Sequence, residues 1–247
     1  MNSAQVSTQE PDLYADYAAW KGWANPFTFS AEEGRYFEAE LGGRKVGGLD
    51  VLEIGFGNGN FLGWARAQAA RVSGSEVTSE AVEAARREGI PLIDPNFEQT
   101  DGLPVDSYDI VAAFDVFEHL DPDTIAGKLR AIAQALRPDG LLLLRFPNGQ
   151  SPYGLAAQNG DATHVVALSR AKVEQYASGS GLITLAYGGA AVVRSGRPAV
   201  DMARGTRRLL QRIHQRIIRF IYATDVELAP VVTHLLVKQN SERKTDL

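Results

Sequence analysis

A glycine-rich segment follows an apolar run near residue 50 and predicts a ligand-binding turn. The segment VLEIGFGNGNFL, residues 51–62, places Gly55, Gly57 and Gly59 at alternate positions, with Glu53 two residues before the first glycine. Glycine adopts left-handed dihedral angles and lets a backbone approach a ligand closely. The spacing therefore predicts a turn from a buried strand into a helix, with backbone amides facing a bound molecule.

The residues around the glycines separate three classes of ligand. A triphosphate-binding loop requires Lys followed by Ser or Thr after its last glycine, but Asn60 and Phe61 stand there. A dinucleotide-binding turn requires its third glycine at the position of Asn60, which argues against a nicotinamide oxidoreductase. The carboxylate of Glu53 would repel a pyrophosphate and attract a cationic ammonium or sulfonium group. The pattern therefore favours a cationic ligand.

Several segments, in the order of the chain, resemble the class I S-adenosylmethionine-dependent methyltransferases and the subgroup often called type 11. The segments are LEIGFGNGN, RVSGSE, QTDGLPVDSYDIV, FDVFEHLDPD, LRPDGLLLLRFPN and DATHVVALSRAKVEQYASGSGL. The resemblance spans residues 49 to about 187 and, more weakly, the final strand, and it implies that S-adenosylmethionine is the cofactor. The chain departs from the family at Glu76, where Asp is common, and residues 189–229 match no family pattern.

The resemblance also implies which residues hold the cofactor. Glu76, at the end of the second predicted strand, would bind both ribose hydroxyls, since a carboxylate accepts hydrogen bonds in a bidentate manner. Asp101 would lie near the adenine amino group, and backbone amides after Gly57 and Gly59 would face the methionine carboxylate. The predicted cofactor-binding residues are Glu53, Gly55, Phe56, Gly57, Asn58, Gly59, Asn60, Phe61, Glu76, Val77, Asp101, Gly102 and Asp115.

Three residues are candidates for proton transfer. Glu118 and His119 follow the predicted strand YDIVAAF, at the edge where ligands bind in open α/β sheets, and His164 lies in a loop at the same edge. An imidazole with an ordinary pKa near 6.5 suits removal of a proton from a hydroxyl. The alternative for each histidine is a structural hydrogen bond. Arg145 and Asn148 could orient a polar substrate, or Arg145 could pair with an acid.

Composition narrows the class of acceptor. The chain has no cysteine, which excludes disulfides, thiolate metal sites and cysteine nucleophiles. FDVF stands where amino-group methyltransferases acting on adenine or glutamine carry a DPPY-type tetrad, and the net charge of -5 argues against a nucleic-acid partner. We therefore expect O-methylation of a small molecule or of a saccharide such as a glycan precursor. N-methylation of a small amine and a non-catalytic S-adenosylmethionine-binding module are the alternatives.

A metal site is a further alternative at the same edge. Asp115, Glu118 and His119 offer oxygen and nitrogen ligands, but no further ligands are evident in the sequence, so we expect no metal.

Strands and helices alternate from residue 49 onward and predict the elements that position these residues. Continuous apolar strands indicate a parallel sheet covered on both faces, so the predicted class is α/β. The resemblance implies a Rossmann-like, seven-stranded, mostly parallel sheet with helices on both faces. Residues 14–41 predict an N-terminal helical cover, with Ser30 and Glu33 as a capping box, and Ser79 is the predicted N-cap of a later helix. The strands recognisable in the sequence are 49–54, 71–76, 108–114, 140–146, 182–188 and 231–238.

The chain is predicted to form a single methyltransferase domain over residues 11–238, with flexible ends at 1–10 and 239–247. A helical insertion at 189–229 precedes the last strand. The N-terminus has no basic start followed by an apolar stretch, and no run approaches the roughly 18 apolar residues of a membrane span. We therefore expect a soluble, cytoplasmic protein. No motif in the sequence predicts its oligomeric state.

The insertion contains an amphipathic stretch at residues 204–221. Its apolar residues fall on one helical arc and its arginines on the adjoining arc. The apolar residues are Leu209, Leu210, Ile213, Ile217, Phe220 and Ile221, and the arginines are Arg208, Arg212, Arg216 and Arg219. Such a helix could make a weak contact with an anionic membrane surface or dock a phosphate-bearing substrate. The alternative, which we favour from the sequence, is that the helix packs on the domain and leaves its basic face in solvent.

Overall fold

The computed structural model describes residues 17–99 and 102–239. The ends predicted to be flexible lie outside the described residues except for Gln239, and so does Asp101. The strands are β1 (Asp50–Ile54), β2 (Arg71–Ser75), β3 (Tyr108–Phe114), β4 (Leu136–Pro147), β5 (Leu182–Gly189) and β6 (Val231–Lys238). The helices are α1 (Tyr17–Trp20), α2 (Ala31–Glu40), α3 (Asn60–Ala67), α4 (Ser79–Arg87), α5 (Pro122–Ala135), α6 (Leu155–Asn159), α7 (Arg170–Tyr176) and α8 (Pro198–Tyr222).

The strands form one sheet in the order β2-β1-β3-β4-β6-β5. Strands β2, β1, β3 and β4 are mutually parallel, and β6 runs antiparallel to both β4 and β5. Parallel neighbours require crossover connections, which α3, α4 and α5 supply. The α/β class with a mostly parallel, Rossmann-like sheet is therefore confirmed.

The expectation of seven strands is wrong, since the sheet has six strands among the described residues. The additional strand would lie beside β2, where Leu92 forms only an isolated parallel bridge with Gly74. Pro91 precedes this residue and Pro95 follows it closely. A proline has no backbone N–H to donate to a ladder, so the pairing cannot extend beyond the single bridge.

Side chains of the central strands alternate between two apolar layers. Val51 packs with Phe37, Phe61 and Trp64 under α2 and α3. Leu52, the next residue of β1, belongs to the opposite layer under α5 and α7. Successive side chains of a strand point to opposite faces, so a strand buried on both faces must be apolar throughout. This is why the central parts of β1, β3 and β4, residues 51–52, 110–114 and 141–144, are apolar throughout.

The helix starts follow from local hydrogen bonds. The Ser30 side chain accepts from the Glu33 amide and the Glu33 carboxylate accepts from the Ser30 amide, which confirms the predicted capping box of α2. The N-cap of α4 is Thr78 rather than the predicted Ser79. Thr78 has an extended backbone, whereas Ser79 is already the first helical residue.

The long insertion between β5 and β6 contains α8, a helix of 25 residues. Strand β5 ends at the same edge of the sheet as the parallel strands, because β5 and β4 both run antiparallel to β6. The insertion therefore emerges at the edge of the sheet that also holds the carboxyl ends of β1, β3 and β4, with β6 between β5 and β4. Within the described part of the chain, no helix combines the length and the apolar character that crossing a membrane requires.

Helix α3 approaches the N-terminal segment closely at Gly63. A Cβ atom at this position would lie 2.0 Å from the carbonyl oxygen of Phe27, which is backbone and cannot rotate away. We expect Gly63→Ala to destabilise the protein by about 1–3 kcal/mol, because the helix and the Phe27 segment must separate. Gly205→Ala is the matched control. Gly205 is also helical, and a Cβ there meets nothing within 4 Å.

Urea unfolding followed by circular dichroism measures both free energies of unfolding. The control should be unchanged or more stable by about 0.5–1 kcal/mol, as is usual for Gly to Ala in a helix. Equal stability of the two variants would contradict the close packing at Gly63.

Candidate functional site

A cavity of about 960 Å³ opens at the carboxyl ends of β1, β2 and β3. This is the edge of a parallel sheet at which ligands bind, because the connecting loops and helix N-termini converge there. The predicted site residues in its wall are Glu53, Gly55, Phe56, Gly57, Asn58, Gly59, Asn60, Phe61, Glu76, Val77, Asp115 and His119. The volume is within the range of small-molecule and cofactor sites, about 300–1,000 Å³.

The glycine turn between β1 and α3 has both a dihedral and a steric reason for its composition. Gly57 and Gly59 have φ values of 52° and 73°, a region that favours glycine. A Cβ atom would lie 2.7 Å from the Trp23 ring at Gly57 and 2.4 Å from the Phe27 ring at Gly59. The N-terminal segment therefore covers the turn, and side chains larger than hydrogen at these glycines would displace it.

Backbone amides hold the carboxylate of Glu76 in place. Oε1 accepts hydrogen bonds from the amides of Val77 at 2.6 Å and Thr78 at 2.9 Å, and Oε2 accepts from the amide of Gly57 at 2.8 Å. The end of β2 is thereby tied to the glycine turn after β1. Among the described residues Oε2 has this one hydrogen bond, so an acceptor position remains for a ligand hydroxyl.

The carboxyl group of Glu53 is buried in the wall beneath the turn. The residue is 4% exposed, and its Oε2 atom has no hydrogen-bond partner among the described residues. Burial raises the pKa of Glu53 well above its ordinary value, against the opposing hydrogen bond from the Leu62 amide, and the charge of Glu76 adds to the rise. A buried acid with an unsatisfied oxygen suits a site for a cationic group, because such a group would restore the charged form.

Arg145 closes another part of the cavity wall. Its Nε atom donates to Asp115 Oδ1 at 3.0 Å, its Nη2 atom donates to Asp115 Oδ2, and its Nη1 atom donates to the Tyr36 hydroxyl at 2.9 Å. The structure therefore supports pairing with an acid, one of the two alternatives for Arg145. Asn148, in contrast, is buried and donates to carbonyl oxygens of Glu227 and Ala229, so it fixes the insertion.

Glu118 lies directly behind the cavity rather than in its wall. It is fully buried, and neither carboxyl oxygen has a hydrogen-bond partner among the described residues. Burial, followed by the charge of Asp115, raises the pKa of Glu118 to about 8. The Nε2 atom of His164 lies 4.0 Å from Glu118 Oε1 and 3.7 Å from Asp161 Oδ2. The carboxyl group of Glu118 is thus largely neutral at pH 7.

The two histidines each place the Nδ1 atom of the ring against a backbone carbonyl oxygen. His119 Nδ1 is 3.2 Å from the carbonyl oxygen of Thr163, and His164 Nδ1 is 3.1 Å from that of Gln158. A carbonyl only accepts, so the neutral His119 ring carries its proton on Nδ1. Burial lowers the pKa of His119, and His164 at a centroid distance of 4.5 Å lowers it further. His119 is therefore neutral at pH 7.

Ligand atoms of Glu118, His119 and His164 all lie within 4.8 Å of one another, a spacing that could accommodate a metal ion. This trio differs from the one considered on sequence, because Asp115 is hydrogen-bonded to Arg145. The expectation of no metal stays a prediction.

Several residues were not found by sequence reasoning, and some that were predicted lie elsewhere. Asp101 is outside the described residues, and Gly102 and His164 are not in the cavity wall. The wall also contains residues that the sequence did not predict to lie in the site, including Lys21, Glu33, Tyr36, Thr78, Glu98 and Lys128. Burial raises the pKa of Tyr36, although Arg145 opposes the rise. Its hydroxyl reaches the site from α2, far away in sequence, and no motif records that contact.

Comparison with solved structures supports the same fold. An S-adenosylmethionine-dependent methyltransferase from Archaeoglobus fulgidus is 16% identical, with a TM-score of 0.62, covering 85% of this chain and 95% of that protein. One from Mesorhizobium loti is 17% identical, with a TM-score of 0.57 and coverages of 84% and 98%. A Burkholderia thailandensis 1,6-didemethyltoxoflavin N1-methyltransferase with bound S-adenosylhomocysteine is 14% identical, with a TM-score of 0.55 and coverages of 92% and 84%.

No curated protein matches this chain in sequence. The family model for a methyltransferase domain matches residues 32–184, which include the glycine turn, Glu76 and the segment after β3. The match covers more than half of the chain. The residues that line the cavity, the topology of the sheet and the family match agree, and the chain belongs to the S-adenosylmethionine-dependent methyltransferases of class I.

Proposed function

We propose that this enzyme methylates a hydroxyl oxygen of a small molecule or saccharide, with His119 as the general base. The observation that carries the proposal is the position of His119, neutral at pH 7, in the wall of the cavity that also contains the glycine turn and Glu76. When bound, S-adenosylmethionine would supply a methyl group bonded to its sulfonium sulfur. Transfer to a hydroxyl requires alignment of the acceptor and removal of one proton, which a positioned imidazole can accept.

The residues of the wall divide the work of holding the cofactor. Glu76, oriented by three amides, would accept hydrogen bonds from the ribose hydroxyls. Amides of the glycine turn and the N-terminus of α3 favour a carboxylate, which is the anionic end of the cofactor. Glu53 lies in the wall with an unsatisfied oxygen and would attract a cationic group. The same cavity is also lined by other residues predicted to contact the cofactor, which supports those predictions. They are Phe56, Asn58, Phe61, Val77 and Asp115.

Glu118 and His164 would act through His119 rather than on the substrate. They lie behind it, and His164 packs edge-on against the His119 ring. Because Glu118 is largely neutral at pH 7, it would add little negative charge beside the His119 ring. We therefore assign both residues a positioning role.

N-methylation of a small amine is the second candidate. Glu33 and Asp121 also lie in the cavity wall, and their carboxylates would attract a protonated amine. An amine must lose its proton before transfer, so its own pKa would set the pH profile, whereas a hydroxyl acceptor needs the base.

The first prediction concerns the cofactor. We expect binding of S-adenosylhomocysteine with a micromolar dissociation constant, roughly −8 kcal/mol, and no comparable affinity for NAD. Glu76→Ala should weaken binding by about tenfold or more, because hydrogen bonds to a charged acceptor are lost. Glu80→Ala, on an exposed carboxylate that is not in the wall, is the control. Calorimetry that shows tighter binding of NAD would overturn the assignment of the cofactor. Equal affinities of the Glu76→Ala and Glu80→Ala variants for S-adenosylhomocysteine would overturn the assignment of Glu76.

The second prediction separates chemistry from binding at His119. His119→Ala should leave S-adenosylhomocysteine affinity near that of the wild type but lower turnover by about 10²–10⁴. Its residual rate should rise with pH as the acceptor deprotonates unaided. Transfer of labelled methyl groups to a panel of hydroxyl and amine acceptors measures the rate, with His214→Ala as the control on α8. A wild-type rate in His119→Ala would remove the residue from the mechanism.

The third prediction concerns Glu118 and the pH dependence of stability. Its folded-state pKa of about 8 exceeds the ordinary value of 4.5, so the wild-type protein should lose stability as pH rises between these two values. Each pKa unit corresponds to about 1.4 kcal/mol. In Glu118→Gln the group no longer titrates, so the free energy of unfolding relative to wild type should increase with pH across this window.

Chemical denaturation at a series of pH values measures this difference. A difference that is flat with pH would show that Glu118 is ionised in the folded protein. A rise in melting temperature with Zn²⁺ that disappears in Glu118→Gln would instead indicate a metal at this group and contradict the expectation of none.

A further inference from the structure

Helix α8 contacts the rest of the protein along one side only. Arg204 donates to Glu32 Oε1 at 2.6 Å, next to Glu33 in the cavity wall. Gln215 donates to the carbonyl of Val226 at 2.5 Å and accepts from the amide of Leu228 at 2.9 Å. These contacts attach the helix through polar side chains. None of the 25 residues of α8 is buried.

The apolar side of α8 faces away from the domain. With about 100° of rotation per residue, its exposed large apolar side chains, apart from Tyr222, occupy an arc of about 120°, whose centre lies roughly opposite Arg204 and Gln215. All of them are exposed, and Phe220 is 89% exposed. They are Met202, Leu209, Leu210, Ile213, Ile217, Phe220 and Ile221. Packing on the domain, favoured on sequence, therefore does not account for this apolar arc.

Positive charge flanks the apolar arc. Helix α8 carries six arginines and a single acidic residue, Asp201, which accepts hydrogen bonds from Ser195 in the preceding loop. The chain as a whole has a net charge of -5, so this concentration of arginine is local. The arginines are Arg204, Arg207, Arg208, Arg212, Arg216 and Arg219. Arg208, Arg212, Arg216 and Arg219 lie on the arc that adjoins the apolar one.

We propose that α8 binds the surface of a lipid bilayer that contains anionic headgroups. A long helix with a polar attached side, an exposed apolar arc and flanking arginines matches a helix lying in the membrane interface, with its apolar side chains at the acyl boundary. The arginines complement the negative potential of anionic lipids. A protein partner or a second copy would need an apolar groove with acidic borders, whereas the bilayer supplies both features continuously along the helix.

The position of α8 indicates the class of acceptor that would reach the site. The helix emerges at the edge of the sheet where the cavity opens, and Arg204 joins it to the start of α2 beside Glu33. Binding through α8 would place this edge near the membrane. Resting on the proposed methyltransferase function, we infer an acceptor of amphiphilic chemistry, a hydroxyl-bearing head group carried on a lipid.

Flotation with vesicles tests the proposal on the full-length protein. The probes are vesicles of phosphatidylcholine alone and vesicles that also contain phosphatidylglycerol. We expect at least tenfold stronger binding to the anionic vesicles and weakening as salt is raised, because the arginine contacts are screened. Absence of binding to anionic vesicles at low salt would overturn the proposal.

Two variants of α8 and one control locate the surface. Ile217→Glu combined with Phe220→Glu should reduce binding by at least tenfold, and so should reversal of Arg208, Arg212 and Arg216 to Glu. Ile183→Glu combined with Leu185→Glu changes exposed apolar residues of β5 in the same way and should bind as the wild type does. Equal binding by the α8 variants and the control would contradict the proposal.

Two further measurements separate the possible failures. All variants should bind S-adenosylhomocysteine with wild-type affinity, since α8 lies outside the cavity wall, so loss of vesicle binding is distinguishable from loss of the cofactor site. Sedimentation measures the oligomeric state. A dimer that the apolar variants dissociate, without vesicle binding by the wild type, would assign the face to a second copy and overturn the membrane proposal.

Discussion

The turn that leaves β1 is the constraint on which the site depends. The strand is buried between parallel neighbours, so the chain must reverse into α3 within a few residues and remain compact. Glycines at positive φ make this reversal possible, and Trp23 and Phe27 pack directly on them. The amide of Gly57 is also the donor that links the turn to Glu76 at the end of β2. The turn, its aromatic cover and Glu76 therefore form one connected unit.

Buried carboxyl groups around the cavity represent a cost in stability. Glu53 and Glu118 have oxygens without partners among the described residues, and burial raises the pKa of both. Arg145 forms direct hydrogen bonds with Asp115 rather than with either of these two buried acids. A chain under selection for stability alone would replace such acids with apolar residues. Glu53 lies in the wall of the cavity, and Glu118 is fully buried next to His119 in the chain.

The insertion shows how the distribution of charge can matter more than its sum. The chain is acidic overall, yet α8 concentrates arginines beside an apolar arc. Polar contacts through Arg204 and Gln215 hold the helix at the open edge of the sheet without burying its apolar side. A helix attached in this way remains available to another surface, and its attachment near Glu33 links that surface to the mouth of the cavity.

Local pattern alone determined the strand–helix order, the glycine turn and the capping box at Ser30, because each depends on residues close together in the chain. The pattern did not predict the number of strands correctly, because Pro91 and Pro95 limit the pairing of the segment beside β2 to a single bridge. Tertiary structure also decided that Arg145 pairs with Asp115, that Tyr36 reaches the cavity, that Glu118 and His164 lie behind His119, and that the apolar arc of α8 faces outward. These outcomes depend on which distant segments pack together, and burial and orientation, which set the pKa of Glu118 and the exposure of Phe220, exist only after that packing.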